Sequence, residues 1–549
     1  MQALMMNSQL MISSILRHAE QNYPDREIVS VTMDNPRHRY TFKDFASRTR
    51  QLANVLEQLG GKFGDRIGTL AWNDYRHLEL YYAVSGTGMV CHTINPKLFP
   101  EQVAYIINHA EDKFIFVDVL VVPLLEALKD HLGKVEGFIV LTTKENMPQT
   151  SLNNVHCYEE LLAGQSADYT WPEFDENTAS GMCYTSGTTG NPKGVVYSHR
   201  STILHAYAGS LPDATGASNL ETVMPIVPMF HVNAWGMPYA SLMVGSKIVM
   251  PGPKMADGET LQALIESEGV TYSSGVPTIW MALLDYLAKS GKKILTLKTI
   301  GTGGAACPRG IVERFRYDHG ATVMQGWGMT EMSPLGTIYG LKAGMENLTD
   351  EELIDLQCKQ GRTVFGVELK IVDAENNELP WDGVAFGALK ARGPWIATGY
   401  YGLSQEPGAE DCPVDADGWL NTGDVATINS DGFMQITDRT KDVIKTGGEW
   451  ISSIDIENAA ASHKEIAEAA VIGRYHPKWT ERPLLIAVLQ QGSTLTKEGV
   501  MVYMRESLHK MSVPDDVVFV DALPHTATGK LNKLALRETF ADYSFPDVA

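Results

Sequence analysis

The eleven residues Tyr184-Thr-Ser-Gly-Thr-Thr-Gly-Asn-Pro-Lys-Gly194 hold three glycines, four aliphatic hydroxyls and one lysine. Successive backbone N–H groups and hydroxyls of this kind wrap phosphate oxygens, glycine lets the backbone come close, and lysine adds a mobile cation. An apolar run from Ala179 to Cys183 leads in and Val195, Val196 and Tyr197 lead out, so the pattern predicts a strand, a polyphosphate-gripping loop, and a strand. It is not the G-x-x-x-x-G-K-[ST] loop that opens a helix, because Pro192 stands at the second glycine and Gly194 at the hydroxyl position. A flexible Gly/Ser linker is the plain alternative, and it fits poorly between two apolar strands.

Five further segments carry residue types suited to one nucleotide. Gln325-Gly-Trp-Gly-Met-Thr-Glu331 offers an aromatic face at Trp327, a hydroxyl at Thr330 and a carboxylate at Glu331 for Mg²⁺, a hard cation that prefers oxygen. Gly303 and Gly304 allow backbone approach to a base; alone they are more often a plain turn. Gly418-Trp-Leu-Asn-Thr-Gly-Asp424 places a carboxylate after a tight turn, where it can accept two ribose hydroxyls. Asp438-Arg-Thr-Lys-Asp-Val-Ile-Lys-Thr-Gly-Gly-Glu-Trp450 brings Arg439, Lys441 and Lys445 together with a glycine pair. Pro524-His-Thr-Ala-Thr-Gly-Lys530 holds a lysine in a Gly/Thr loop near the C-terminus.

These groups need a scaffold to position them. At 549 residues the chain exceeds one core and suits two to four compact units. Strand-like runs near 114–118, 137–141, 222–227 and 247–250 alternate with helical patterns at 261–268 and 277–287, which implies parallel α/β layers. An amphipathic helix is expected within 5–23. From about Gly361 the texture becomes β-rich, and after Asp438 a smaller α+β pattern follows, with helices near 454–462 and 497–510. The expected division is 1–438, a charged hinge at 439–442, and 443–549.

The formal net charge of −21 disfavours nonspecific nucleic-acid binding and anionic membranes, so an anionic substrate must be drawn by a local basic site. Six scattered cysteines without a C-x-x-C pair read as reduced and intracellular. No apolar run reaches the roughly 18 residues that cross a bilayer, and the expected location is cytoplasmic.

Taken together, the segments resemble in order and spacing the core motifs of the AMP-forming acyl-CoA synthetases, within the adenylate-forming superfamily that also holds firefly luciferase and peptide-synthetase adenylation domains. The resemblance runs from the N-terminal helix through Lys530. Pro228-Met-Phe-His-Val-Asn-Ala-Trp-Gly-Met-Pro-Tyr239, Ile444-Lys-Thr-Gly-Gly-Glu-Trp-Ile-Ser-Ser453 and the stretch from Tyr81 to Pro96 look like the medium- and long-chain fatty acyl-CoA ligase branch, which also contains ligases for 3-(methylthio)propionate.

That resemblance implies an α/β fold: a large N-terminal domain of layered α/β subdomains with a β-rich subdomain, and a small mobile α+β C-terminal domain. It implies ATP, Mg²⁺ and coenzyme A as cofactor and co-substrates, a two-step reaction through acyl-AMP, and commonly a homodimer. Lys530 would reach the α-phosphate and carboxylate, while Thr185 and Glu331 would hold Mg²⁺. Ser186, Gly187, Thr188, Thr189, Gly190 and Lys193 would grip the outer phosphates. Asp424 and Arg439 would fix the ribose, with Lys441, Lys445 and Trp450 nearby. Gly303, Gly304, Gln325, Gly326, Trp327 and Thr330 would flank adenine and the α-phosphate. His231, Val232, Asn233 and Trp235 would border the acid, with Met237, Tyr239, Val276, Trp280 and Met332 shaping its pocket. Medium-chain fatty acids are the favoured substrates, with 3-(methylthio)propionate or another short acid as the alternative. Two residues depart from the superfamily pattern: Trp327 stands where many members have Tyr, and Asn421 where many have Arg.

A peptide-synthetase module would usually carry an acidic residue where Phe230-His231-Val232 stands, and a carrier domain beyond Lys530. A light-emitting oxidase of the same fold and a catalytically silent nucleotide-binding scaffold are further alternatives. The joint presence of Lys193, Glu331, Asp424, Arg439 and Lys530 weighs against the scaffold. Ser198-His199 lacks a preceding nucleophile elbow and carries no hydrolase reading.

Overall fold

The structure is a computed structural model that describes residues 1, 4–185, 191–446, 449–525 and 531–546, with backbone alone at 449–450. By internal contacts the chain forms two compact units; of the described residues, the first takes those of 1–185, 191–368 and 391–420, and the second those of 369–390 and 421–546.

Two large sheets build the first unit. Among the described residues, one has seven strands in the order Val155–Cys157, Gly137–Val140, Asp112–Val117, Arg66–Leu70, Val90–Thr93, Ala179–Tyr184 and Gly194–Ser198. All its pairings are parallel except the last, where Ala179–Tyr184 turns back on Gly194–Ser198. The other sheet has nine strands; its parallel core is Thr322–Gly328, Thr299–Thr302, Tyr272–Gly275, Thr222–Pro225 and Lys247–Met250. Glu27–Ser30 joins its far side in parallel and carries the antiparallel edge strand His38–Thr41.

Some of these strands, such as Gly137–Val140 and Lys247–Met250, are nearly all apolar, as suits parallel strands covered on both faces, whereas Tyr272–Gly275 and Thr299–Thr302 are built largely of small and polar residues that are still mostly buried. Helices such as Gly258–Glu268, Pro277–Ser290 and Arg309–His319 cover one face. Trp280, Phe315, Leu284, Ile300 and Val323 pack there with no side chain more than 1% exposed. A second cluster, with Phe42, Phe45, Tyr81 and Tyr82, joins the helices Phe42–Gln58 and Tyr75–Gly86. The N-terminal helix runs over Ile12–Asn22, with Ile12, Ile15, Leu16 and Ala19 on its buried stripe. The phosphate-loop strand and the strand before Glu331 belong to different sheets of this unit, and both lead into loops at their C-terminal ends, the place where open α/β sheets bind ligands.

The second unit contains a four-stranded sheet, Glu368–Val372, Phe386–Arg392, Leu420–Ile428 and Met434–Arg439, and a five-stranded sheet with the helices Ser453–Ala461, Lys497–Ser507 and Lys533–Thr539 among its described residues. By contact, residues 421–438 group with the C-terminal segment. Buried Asp438 supplies one reason: its carboxylate accepts from the Ser453 backbone N–H at 2.5 Å and the Ser453 hydroxyl at 3.0 Å, tying the end of Met434–Arg439 to the start of the next helix.

Candidate active site

The loop at Thr185 is set by its flanking strands. Tyr184 stands opposite Gly194 and Cys183 opposite Val195. Thr185 N–H donates to the Lys193 carbonyl at 2.9 Å, and Lys193 N–H reaches the Thr185 hydroxyl at 3.3 Å, so the two ends are pinned together. A Cβ at position 194 would lie 3.1 Å from the Tyr184 ring and 3.2 Å from Tyr401, so a side chain there would press on both. Ser186, Gly187, Thr188, Thr189 and Gly190 lie outside the described residues.

Glu331 sits in the 3-10 turn Thr330–Met332 that follows the strand Thr322–Gly328, and is 5% exposed. A buried carboxylate must be hydrogen-bonded. The Tyr400 hydroxyl donates to Glu331 Oε1 at 2.6 Å, and Ala397 N–H donates to the Glu331 carbonyl at 2.7 Å. Tyr197 OH donates to the Thr330 carbonyl at 2.8 Å, linking this turn to the strand beyond the phosphate loop. The Lys193 ammonium lies 4.8 Å from the centre of the Tyr400 ring. Thr185, Lys193, Thr330 and Glu331 thus belong to one bonded cluster of the first unit, joined through Tyr197 and Tyr400. Tyr400 was missed from sequence; the Gly-Tyr-Tyr-Gly run at 399–402 was its only local signal.

Gly303 ends the strand Thr299–Thr302, and a Cβ there would meet the Gly326 carbonyl at 2.9 Å and the Trp235 ring at 3.3 Å. Gly303 thus lies close to two other expected site residues, Gly326 and Trp235, with no room for a side chain between them. Gly304 has φ +77°, the left-handed region. Gln325, opposite Thr302 in register, is fully buried, and neither its amide oxygen nor nitrogen finds a partner among the described residues. An amide placed so carries a donor and an acceptor for a ligand edge. Trp327 is 9% exposed, with its ring against Gly336, where a Cβ would come within 2.6 Å.

His231 opens an unusual turn. Val232, Asn233, Ala234, Trp235 and Gly236 all have positive φ, from 46° to 78°. Left-handed backbone costs about 1–2 kcal/mol per non-glycine residue, so the surroundings must hold it. The Cys183 thiol lies 3.8 Å from the Asn233 side-chain oxygen, and Trp235 rests on Gly303. Gly236 has no room for a side chain, since a Cβ would sit 2.7 Å from the His205 ring. Of the other expected pocket residues, Trp280 is a core side chain whose Nε1 donates to the Gly275 carbonyl at 3.1 Å, and Tyr239, Met237 and Met332 are buried. Ser198 caps the helix His199–Ser210, and His199 Nδ1 accepts from Ile12 N–H at 3.1 Å, which gives both residues structural roles.

In the second unit, Asp424 and Arg439 face each other across the antiparallel pair Leu420–Ile428 and Met434–Arg439, with Arg439 Nε 2.7 Å from Asp424 Oδ1. Asp424 is 5% exposed and Gly423 before it has φ +76°. Burial lowers the pKa of Lys441, partly countered by Asp442 and reinforced by Arg439 and Arg537. Arg537 pairs with Asp442 and donates to the Lys441 carbonyl at 3.0 Å. Lys445 N–H donates to Glu481 at 2.9 Å. Lys530 and the Trp450 side chain lie outside the described residues. Three residues after Lys530 in the sequence, Lys533 bonds the Ser453 hydroxyl at 2.6 Å and Glu457 at 2.7 Å, anchoring the helix Lys533–Thr539.

No group of three or more His, Cys, Asp or Glu able to hold a metal occurs among the described residues. A single held carboxylate at Glu331 fits Mg²⁺ that is coordinated mainly by nucleotide phosphates and water. Among the described residues no helix is long and apolar enough to cross a membrane.

Residues 16–401 match the AMP-binding enzyme family and residues 455–530 match the AMP-binding enzyme C-terminal domain. A 3-methylmercaptopropionyl-CoA ligase of Ruegeria lacuscaerulensis is 49% identical over 98% of both chains. A medium-chain-fatty-acid–CoA ligase of Ectopseudomonas oleovorans is 47% identical over 98% of this chain and 97% of its own. The crystal structure of an anthranilate CoA ligase in complex with anthranoyl-AMP shares the fold at TM-score 0.80 and 23% identity, over 96% of each chain. The chain belongs to the AMP-binding enzyme family and is an AMP-forming acyl-CoA synthetase.

Proposed function

We propose that this synthetase activates medium-chain fatty acids, forming acyl-AMP and then acyl-CoA. The observation that carries its adenylation chemistry is the cluster in which buried Glu331 is held by Tyr400 with Lys193 on the same ring, beside the pinned phosphate loop. A carboxylic acid is already ionised near pH 7, since such groups titrate near ~4, so the first step needs no general base. It needs alignment and neutralisation of charge at phosphorus. Lys193 grips the leaving pyrophosphate, and Glu331 with Thr185 would hold the nucleotide's metal. Mg²⁺, when bound, would neutralise phosphate charge. Gln325 presents its amide to adenine, Trp327 flanks the base, and Asp424, positioned by Arg439, takes the ribose hydroxyls. Lys530 approaches the α-phosphate for the first step and withdraws for the second, as the segment after a hinge at 439–442 turns. CoA thiol then attacks the acyl-AMP. His231 and Trp235 border the acid.

A second reading is 3-(methylthio)propionate as the acid, favoured by the 49% identity to a ligase named for that product. Rates of acyl-CoA formation across C3 to C16 fatty acids and 3-(methylthio)propionate, compared as kcat/KM, separate the two. A maximum near C8 supports the first reading, and a maximum at the thioether acid replaces it. A homodimer in the cytoplasm completes the proposal; a monomeric mass by light scattering would count against the dimer.

A further inference from the structure

We propose that Tyr400 is a positioning residue for adenylation: its hydroxyl fixes the Glu331 carboxylate while its ring holds the Lys193 ammonium. The inference rests on the adenylation reading above and assigns a role to a residue outside the expected set. Tyr400 belongs to a strap that is tied down on both sides. On one side Ala397 N–H donates to the Glu331 carbonyl at 2.7 Å, Ser333 Oγ to the Trp395 carbonyl at 2.9 Å, and Trp395 Nε1 to the Leu335 carbonyl at 2.9 Å. On the other, Tyr401 N–H donates to the carbonyl of Gly194, the residue after Lys193, at 2.8 Å. The strap therefore spans the turn that carries Glu331 and the exit of the phosphate loop, and Tyr400 lies where it serves both.

Its two contacts do different things. The 2.6 Å bond to Oε1 is short and charge-assisted, so it sets the plane in which the carboxylate presents itself. The ring face attracts the Lys193 ammonium at 4.8 Å. A cation resting on a ring is oriented without being neutralised by a carboxylate, and keeps its charge for the phosphates. One side chain thus sets the spacing of the anion that meets the metal and the cation that meets the leaving group.

Tyr400→Phe keeps the ring and removes the hydroxyl; Tyr400→Leu removes both. Groups that orient a metal-binding side chain typically cost about 10–100-fold when removed. Tyr400→Phe is expected to raise the half-saturating Mg²⁺ concentration in ATP–pyrophosphate exchange by about ten-fold and lower the maximal exchange rate by about 10–100-fold. KM for the acid and thioesterification of supplied acyl-AMP should stay within about three-fold, and Tm within about 2 °C. By calorimetry the Phe variant should bind ATP more weakly than wild type with Mg²⁺ and equally in EDTA, whereas the Leu variant should bind more weakly in both. Wild-type Mg²⁺ dependence and Mg²⁺-ATP affinity in the Phe variant would overturn the role. So would a parallel fall of both half-reactions and of Tm. If wild type shows no carboxylate-dependent exchange, the adenylation reading fails, and the ATP-binding comparison still decides the role of Tyr400.

Discussion

Replacing Glu331 with Gln removes one charge and almost no volume. The carboxylate is 5% exposed and accepts the Tyr400 hydroxyl at 2.6 Å, a charge-assisted bond worth about 1.5–3 kcal/mol against about 1 kcal/mol for a neutral one. A Gln oxygen still accepts that bond, and the backbone bond from Ala397 N–H to the residue-331 carbonyl is untouched. The lost strength of one bond is offset by the lower cost of burying an amide than a charge. Stability should therefore change by no more than about 1 kcal/mol. Catalysis should respond far more, because one preorganised electrostatic partner at a reacting centre is worth about 10²–10³-fold, or about 2.7–4 kcal/mol. The assay is ATP–pyrophosphate exchange at saturating acid, read beside thioesterification of supplied acyl-AMP. Exchange should fall by at least about 100-fold with the second half-reaction within about three-fold. Exchange within about three-fold of wild type, or an equal loss in both steps, would refute the assignment.

Lys530→Ala should lose adenylation by several orders of magnitude and retain thioesterification of synthetic acyl-AMP; equal loss of both would remove Lys530 from its role. Gly236→Ala forces a Cβ to within 2.7 Å of the His205 ring at φ +78°, and should cost roughly 1–3 kcal/mol in denaturant unfolding while raising KM for the acid more than for ATP; unchanged stability would mean the turn is not held as described. Asp74, fully buried at the start of the helix Tyr75–Gly86, has its pKa raised by burial to about 7, so the folded state takes up a proton that the unfolded state lacks between about pH 4 and 7. Its contribution to stability is present at low pH and is lost as pH rises through about 7. Asp74→Asn keeps an acceptor for His77 N–H and should stabilise by on the order of 1–2 kcal/mol at pH 8 and by much less at pH 5, read as unfolding midpoints; a pH-independent difference would contradict the raised pKa.

The two strands that flank the Gly/Thr/Lys segment, found at Ala179–Tyr184 and Gly194–Ser198, were legible because their apolar runs are local. The same holds for the helices near 261–268 and 277–287, found at Gly258–Glu268 and Pro277–Ser290, and for those of the C-terminal segment, found at Ser453–Ala461 and Lys497–Ser507. The pairing of Glu27–Ser30 with Lys247–Met250 was not, because it closes more than two hundred residues of chain and nothing nearby in sequence encodes the partner. The left-handed path of Val232–Gly236 was hidden for a different reason. Val, Ala and Trp carry no local preference for positive φ, and the conformation is imposed by tertiary contacts with Cys183, His205 and Gly303. Tyr400 was overlooked because a tyrosine acquires its chemistry from Glu331 and Lys193, which lie 69 residues and farther away. Grouping of 421–438 with the C-terminal segment likewise draws on Asp438 reaching Ser453, a bond that composition does not reveal.

The most direct measurement is carboxylate-dependent ATP–pyrophosphate exchange by the wild-type protein, without CoA, using octanoate and 3-(methylthio)propionate as separate acids, followed by addition of CoA. Exchange that requires the acid, followed on CoA addition by equimolar AMP and acyl-CoA, is the predicted result. No exchange with either acid, or formation of ADP in place of AMP, would contradict it.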